Sequence, residues 1–343
     1  MKIGIVGFPG SGKTTLFNAL TGQNAPTGYS AGKVNLGSIK VPDKRVDRLA
    51  EIDDPERKVY AEITFADVPG GRGAGSLEPQ TLNRIREMDA LVAVVRGFDD
   101  GTGEPDPAGE AASFFAELIL SDMQIAEKRV ERLQKDRSDQ RQLDLLARCL
   151  TQLNAERPLR EMDLNDDERA SIAGFAFLSQ KPLMVVHSIA EKDTRAPTPE
   201  RLERLAAQHR LAVMPLSGPV EAEIAALEPA LQAEFLADMG LAEPAAARFI
   251  RAAFGMLDLI TFLTHGPDEC RAWPVRRGST AVQAARVIHS DIARGFIRAE
   301  VIRFEDYDKL ETEAACREAG KLRIEGRDYV VQDGDICHYR FNV

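Results

Sequence analysis

The residues best suited to chemistry stand at the start of the chain, where Gly7-Phe8-Pro9-Gly10-Ser11-Gly12-Lys13-Thr14 satisfies the pattern G-x-x-x-x-G-K-[ST]. The glycines let successive backbone N–H groups wrap phosphate oxygens, and a following helix N-terminus favours negative charge. Lys13 can reach the terminal phosphates and the Thr14 hydroxyl can ligate Mg²⁺, with Thr15 closing the loop. A second group stands at Asp67, which ends the apolar-patterned stretch Ile63-Thr64-Phe65-Ala66 and opens Asp67-Val68-Pro69-Gly70. Taken alone, a strand-terminal aspartate is also a cap or turn former. Beside a phosphate loop it can hold Mg²⁺ through water, and Gly70 can offer its N–H to a γ-phosphate. Lys13 and Gly70 are therefore the candidate catalytic contacts, and Thr14 and Asp67 the candidate metal ligands.

A base-reading element is expected after a later strand. Leu183-Met184-Val185-Val186 is followed by His187-Ser188-Ile189-Ala190-Glu191, where guanine-specific GTPases carry N-K-x-D. There an Asp accepts from guanine N1–H and N2–H₂, a double contact that adenine cannot make. Here Glu191 supplies the carboxylate and Ser188 replaces the Asn, which weakens the case for guanine. Glu191 can equally be a solvated loop charge.

These groups need a scaffold. Lys2 to Phe8 reads as a buried parallel strand, and Lys13 to Thr21 as a helix with Leu16, Phe17 and Leu20 on one face and Gly22 at its end. Further strands are expected at Val34 to Val41, Val59 to Ala66, Ala90 to Val95, Leu183 to Val186 and Leu211 to Pro215. Strands alternating with helices predict an α/β, doubly wound, mostly parallel sheet. Between Gly101 and Gln180 that alternation stops. Phe115, Ile119, Met123, Ala126, Val130 and Leu133, then Leu143, Leu146, Leu150 and Leu153, keep helical spacing around a polar break at Asp136 to Gln140, which predicts an inserted helical hairpin. Beyond Glu221 the chain reads as helical to about Thr264. After His265-Gly266-Pro267 come short strand signals at Val301 to Phe304, Leu322 to Ile324 and Tyr329 to Val331, a small mixed module. The expected domains are 1–100 with 180–264 for nucleotide, 101–179 for the hairpin and 265–343 for the last module.

Length and composition set the outer limits. A chain of 343 residues exceeds one compact core, so two or three domains are expected. No apolar run approaches the roughly 18 residues of a membrane span, and no leader precedes Met1-Lys2-Ile3, so a soluble, cytoplasmic protein is expected. The four cysteines are scattered, as for reduced thiols. His265, His289 and His338 share no metal-like spacing, and the lone Trp273 is expected at the domain junction. A net charge of −10 argues against bulk coating of nucleic acid, and no DNA partner is expected. From Val275 to Val343, however, 12 basic residues balance 12 acidic ones, which permits local contact with RNA.

Taken together, these residues resemble the YchF/Obg-like ATPase family of P-loop NTPases over nearly the whole chain. The likeness is densest at Arg271-Ala272-Trp273, Arg294 to Val301, Glu318 to Arg323 and Asp328 to Asp335, which look like that family's TGS domain. Leu216-Ser217 followed by Glu221 to Ile224 resembles its loop near the base, which adds Ser217 to the nucleotide contacts. The resemblance implies a Ras-like nucleotide domain, an inserted helical arm and a C-terminal β-grasp module, with ATP preferred over GTP and association with ribosomes, through ribosomal RNA or protein.

The sequence also departs from the family. Ala31 stands where a switch Thr is expected, with Ser30 the adjacent hydroxyl. Gly71 replaces a hydrophobic residue, the glycine-rich stretch Arg72 to Ser76 is short, and Asp99 to Pro107 contains no histidine where the family places one proposed to be catalytic. The expected function is slow ATP or GTP hydrolysis coupled to ribosome association. The alternative is a nucleotide-gated ribosome or RNA binder with little or no hydrolysis. Small-molecule phosphotransfer lacks an Arg-rich lid or an acceptor site.

Overall fold

The computed structural model describes residues 1–27, 33–70 and 76–342, without the side chains at 229 and 230. The expectations for Ser30, Ala31, Gly71 and 72–75 lie outside the described residues. The strands are β1 Lys2–Val6, β2 Asn35–Val41, β3 Arg57–Val59, β4 Ala61–Asp67, β5 Ala90–Arg96, β6 Leu183–Ser188, β7 Val213–Leu216, β8 Leu259–Thr264, β9 Glu269–Arg276, β10 Phe296–Arg303, β11 Arg323–Glu325 and β12 Asp335–Phe341. They form two six-stranded sheets, and the chain divides into two units, 1–39 with 64–256 and 40–63 with 257–343.

In the first unit the strand order is β2-β4-β1-β5-β6-β7. β1 pairs in parallel with β4 and β5, β5 with β6, and β6 with β7. Every residue from Ala90 to Val95 is buried, as a parallel strand covered on both faces requires. The core joins Val6, Phe8, Val68, Val95, Phe114 and Val185. The hairpin appears as helices Pro107–Asp136 and Gln140–Asn154, closed on Leu133, Leu145, Leu146 and Leu153 and started at Asp139, whose side chain accepts from Gln142 N–H. It belongs to the first unit and is not a compact unit of its own.

The second unit takes in 40–63 as well as the C-terminal residues, so the expected boundary at 265 shifts to 257 and the expected 1–100 segment is interrupted. Its sheet runs β11-β10-β12-β8-β9-β3 around helix Ala281–Ile288, with Phe262, Ala285, Val301 and Tyr339 in the core. Residues 59–66, expected as one strand, divide at Tyr60 because Arg57–Val59 pairs with Glu269, Cys270 and Arg271 while Thr64 onward pairs with β1.

The expected helical run to Thr264 ends at Met256, and Leu259–Thr264 is a strand hydrogen-bonded to β9. A short apolar run with β-branched residues does not separate strand from helix by periodicity. β9 and β12 were not anticipated, and Tyr329 to Val331 yields a single bridge, Thr280 with Val330. Trp273 packs inside this unit, stacked on Phe262 at 6.4 Å with its Nε1–H donating to Thr264 Oγ1 at 2.9 Å. The free cysteines are all buried. Among the described residues no helix is long and apolar enough to cross a membrane.

Candidate functional site

Backbone conformation builds the loop. Gly10 and Gly12 adopt φ of 82° and 90°, the left-handed region that a Cβ disfavours. Gly12 caps the helix Lys13–Thr21, so the first N–H groups of that helix face the loop. Gly7 needs its small size as well, because a Cβ there would lie 2.5 Å from the Val94 carbonyl oxygen. Phe8 is buried edge-on against Phe114, whereas Pro9 is exposed. The Ser11 hydroxyl is buried without a partner.

Lys13 Nζ donates to the Phe8 carbonyl at 3.4 Å, folding the ammonium back over the loop. Burial pushes its pKa below the usual lysine value, and the nearby Asp67 carboxylate opposes that shift. A poorly solvated ammonium with one long hydrogen bond has donors left for an anion. Gly70 closes this wall: a Cβ on it would stand 2.4 Å from Gly7 O and 3.0 Å from Lys13 Nζ.

Asp67 arrives at the same place because β4 pairs with β1, with Ile5 opposite Asp67. Its Oδ2 accepts from Thr14 Oγ1 at 3.0 Å and from Asn35 Nδ2 at 3.2 Å. Its Oδ1 is buried and has no partner. A buried carboxylate oxygen left unpaired is costly, so a cation or a cation-bound water is the natural complement. A donor set of one carboxylate and one hydroxyl, completed by water and phosphate oxygens, suits Mg²⁺.

The base-side residues separate. Ser188 is buried at the end of β6, and a Cβ on Gly12 would lie 2.7 Å from its Oγ. Ser217, the residue before helix Gly218–Ala226, is buried with an unpartnered hydroxyl, and Gly218 packs on Thr15. Glu191 is exposed on the turn Glu191–Asp193. The structure thus gathers Gly7 to Thr15, Asp67, Gly70, Ser188 and Ser217 around one helix N-terminus, with Glu191 on a solvent-facing turn.

Sequence reasoning missed four neighbours. Asn35 reaches Asp67, and its place in β2 gives no hint of that. Phe98 packs against Gly12, and Asp100, ion-paired with Arg96, lies 3.4 Å from where a Gly10 Cβ would be. The His187 ring occupies space that exists because residue 97 is glycine, since a Cβ there would be 2.0 Å from Nε2.

Curated relatives match end to end. The first, "Ribosome-binding ATPase YchF" of Haemophilus ducreyi, is 40% identical over 365 residues, covering 100% of this chain and 99% of that protein. The chain belongs to the YchF family. The Bacillus subtilis YchF protein of the same name is 35% identical over 367 residues, covering 100% of both. The model described as "50S ribosome-binding GTPase" matches residues 2–126, and the YchF-GTPase C-terminal model, described as "Protein of unknown function (DUF933)", matches residues 259–342. The solved YchF GTPase of Schizosaccharomyces pombe superposes with a TM-score of 0.89 at 28% identity, covering 99% of this chain and 97% of that one. The P-loop α/β fold with a C-terminal TGS-like module is therefore the YchF fold.

Proposed function

We propose that this YchF family member binds a purine nucleotide at Gly7 to Thr15, hydrolyses it slowly, and uses its nucleotide state to govern association with the ribosome. The observation that carries the reading is the Thr14–Asp67 pair beside Lys13, with one carboxylate oxygen buried and free. Backbone N–H groups of 10–14 hold the phosphates, Lys13 neutralises them, and the Gly70 N–H faces the terminal phosphate. Mg²⁺, when bound through Thr14 and Asp67, would draw together phosphate oxygens and offset their charge. The names of the relatives, ribosome-binding ATPases, support the partner and the reaction.

For the base, Ser188 is shorter than the Asn of N-K-x-D, and Glu191 is exposed rather than fixed. Guanine therefore loses its double contact, while adenine N6–H₂ can be accepted by Glu191 or a backbone carbonyl. Each polar contact to a base is worth about 1 kcal/mol, or about 1.5 to 3 with a charged partner. ATP is expected to bind at least as tightly as GTP in parallel titrations with Mg²⁺ at one salt concentration. A tenfold preference for GTP would show that Glu191 reads guanine after all.

The second reading, gating without hydrolysis, is favoured by the loop after β5, which brings Asp100 rather than a histidine toward the phosphate loop. Steady-state phosphate release decides between the two. Wild-type release above that of Lys13→Ala supports hydrolysis, and equal rates leave the gate alone.

For the ribosome contact, the second unit presents Arg298, Arg340 and Arg317 at 3.1, 3.3 and 4.0 Å from the carboxylate of the nearly buried Glu300. Their half-exposed guanidinium groups suit RNA phosphates. Arg298→Gln combined with Arg340→Gln keeps amide donors toward Glu300 but removes two charges. Co-sedimentation with ribosomes is expected to weaken by about tenfold and to depend less steeply on salt. Undiminished binding would move the contact to the hairpin or the nucleotide domain.

A further inference from the structure

Asn35 is the first residue of β2, and its side chain is turned toward the end of a neighbouring strand rather than toward solvent. Its Nδ2 donates to Asp67 Oδ2 at 3.2 Å, on the oxygen that already accepts from Thr14 Oγ1 at 3.0 Å. Two donors on one oxygen leave the carboxylate little rotational freedom, and the other oxygen, buried and unpartnered, is thereby held in one direction. We propose that Asn35 is a positioning residue for the cation of the nucleotide site, fixing Asp67 so that Oδ1 faces the metal shell.

This assignment rests on the nucleotide reading above and extends it to a residue outside the phosphate loop. Two features of the arrangement support it. An amide N–H on a carboxylate oxygen that is not itself directed at the cation restricts a ligand without competing for the metal, the arrangement by which outer-sphere partners tune affinity. A Thr14 hydroxyl that ligates a cation through an oxygen lone pair can keep its O–H on Oδ2, and Asn35 is the second donor that stops the carboxylate from rotating about that one bond.

The test separates metal-supported from metal-free binding. Fluorescent ADP is titrated into the full chain in EDTA and in a Mg²⁺ series, for wild type, Asn35→Ala and Asn35→Gln, with the melting temperature of each recorded. For Asn35→Ala the Mg²⁺ midpoint is expected to rise about ten- to a hundredfold, while the EDTA affinity stays within about twofold, as a contact to Asp67 and not to phosphate requires. Asn35→Gln, which keeps the amide donor, should recover part of that shift. An unchanged Mg²⁺ midpoint, or an equal loss in EDTA and Mg²⁺, would overturn the assignment while leaving the nucleotide reading intact. Wild-type chain that fails to bind ADP in either condition would overturn both.

Discussion

Replacing Lys13 by alanine is expected to weaken nucleotide binding by about ten- to more than a hundredfold, from the about 1.5 to 3 kcal/mol of a charged hydrogen bond. The ammonium is buried, its pKa is lowered by that burial, and its hydrogen bond to the Phe8 carbonyl is long, at 3.4 Å. A bound polyphosphate gives the charge the partner it lacks, so much of the gain appears only with ligand present. Calorimetry with ATP and ADP checks this directly. The same argument predicts that ligand at about a hundred times its Kd raises wild-type stability by about 2.7 kcal/mol. Lys13→Ala should show a smaller rise at the same concentration. Unchanged affinity in the variant would remove the phosphate-site assignment.

The largest effect on stability is expected at Asp122, which lies on the hairpin helix Pro107–Asp136 and is fully buried. Its carboxylate accepts from the backbone N–H groups of Leu178 at 2.9 Å and Ser179 at 2.7 Å, and pairs with Arg86 at 3.3 Å. Burial pushes its pKa upward, against those donors and Arg86, so the group sits between a desolvation cost and a full set of partners. Asp122→Ala leaves the two amides without their acceptor and takes the carboxylate from a largely buried guanidinium, which keeps only the neutral Ala176 carbonyl and Ser121 hydroxyl, a loss of roughly 3 to 5 kcal/mol. That is a large share of the roughly 5 to 15 kcal/mol of a typical domain. Circular dichroism melting should show a lower transition temperature for the variant. A difference below about 1 kcal/mol by denaturant titration would mean that the site relaxes around the missing carboxylate.

The phosphate loop was legible because its requirements are local. Glycines at positive φ, a lysine and a hydroxyl at fixed spacing, and an apolar strand before a helix all show in a short stretch of sequence, and helix Lys13–Thr21 has the expected bounds. Asp67 could be read for a related reason, since it terminates an alternating strand. The hairpin followed from helical spacing broken at Asp136 to Gln140. What stayed hidden depends on contacts between distant segments. Nothing near Asn35 reveals that β2 brings its amide to Asp67, and the division at Tyr60 exists because Arg57–Val59 finds its partner in β9, more than two hundred residues away. The strand at Leu259–Thr264 was missed because six apolar and β-branched residues fit a buried helix turn as well as a strand. Glu191 shows another limit: motif spacing points to a carboxylate on this turn, where the side chain is exposed, and spacing alone does not say what it contacts.

If nucleotide held at Gly7 to Thr15 governs ribosome association, co-sedimentation with purified ribosomes must respond to it. Wild-type and Lys13→Ala chains are spun through sucrose with no nucleotide, with ADP and with a non-hydrolysable ATP analogue, at one salt and Mg²⁺ concentration. The wild-type bound fraction is expected to differ between the ADP and ATP-analogue states, and Lys13→Ala to give one fraction in all three conditions. Equal wild-type binding in all three conditions would show that the nucleotide site does not control docking.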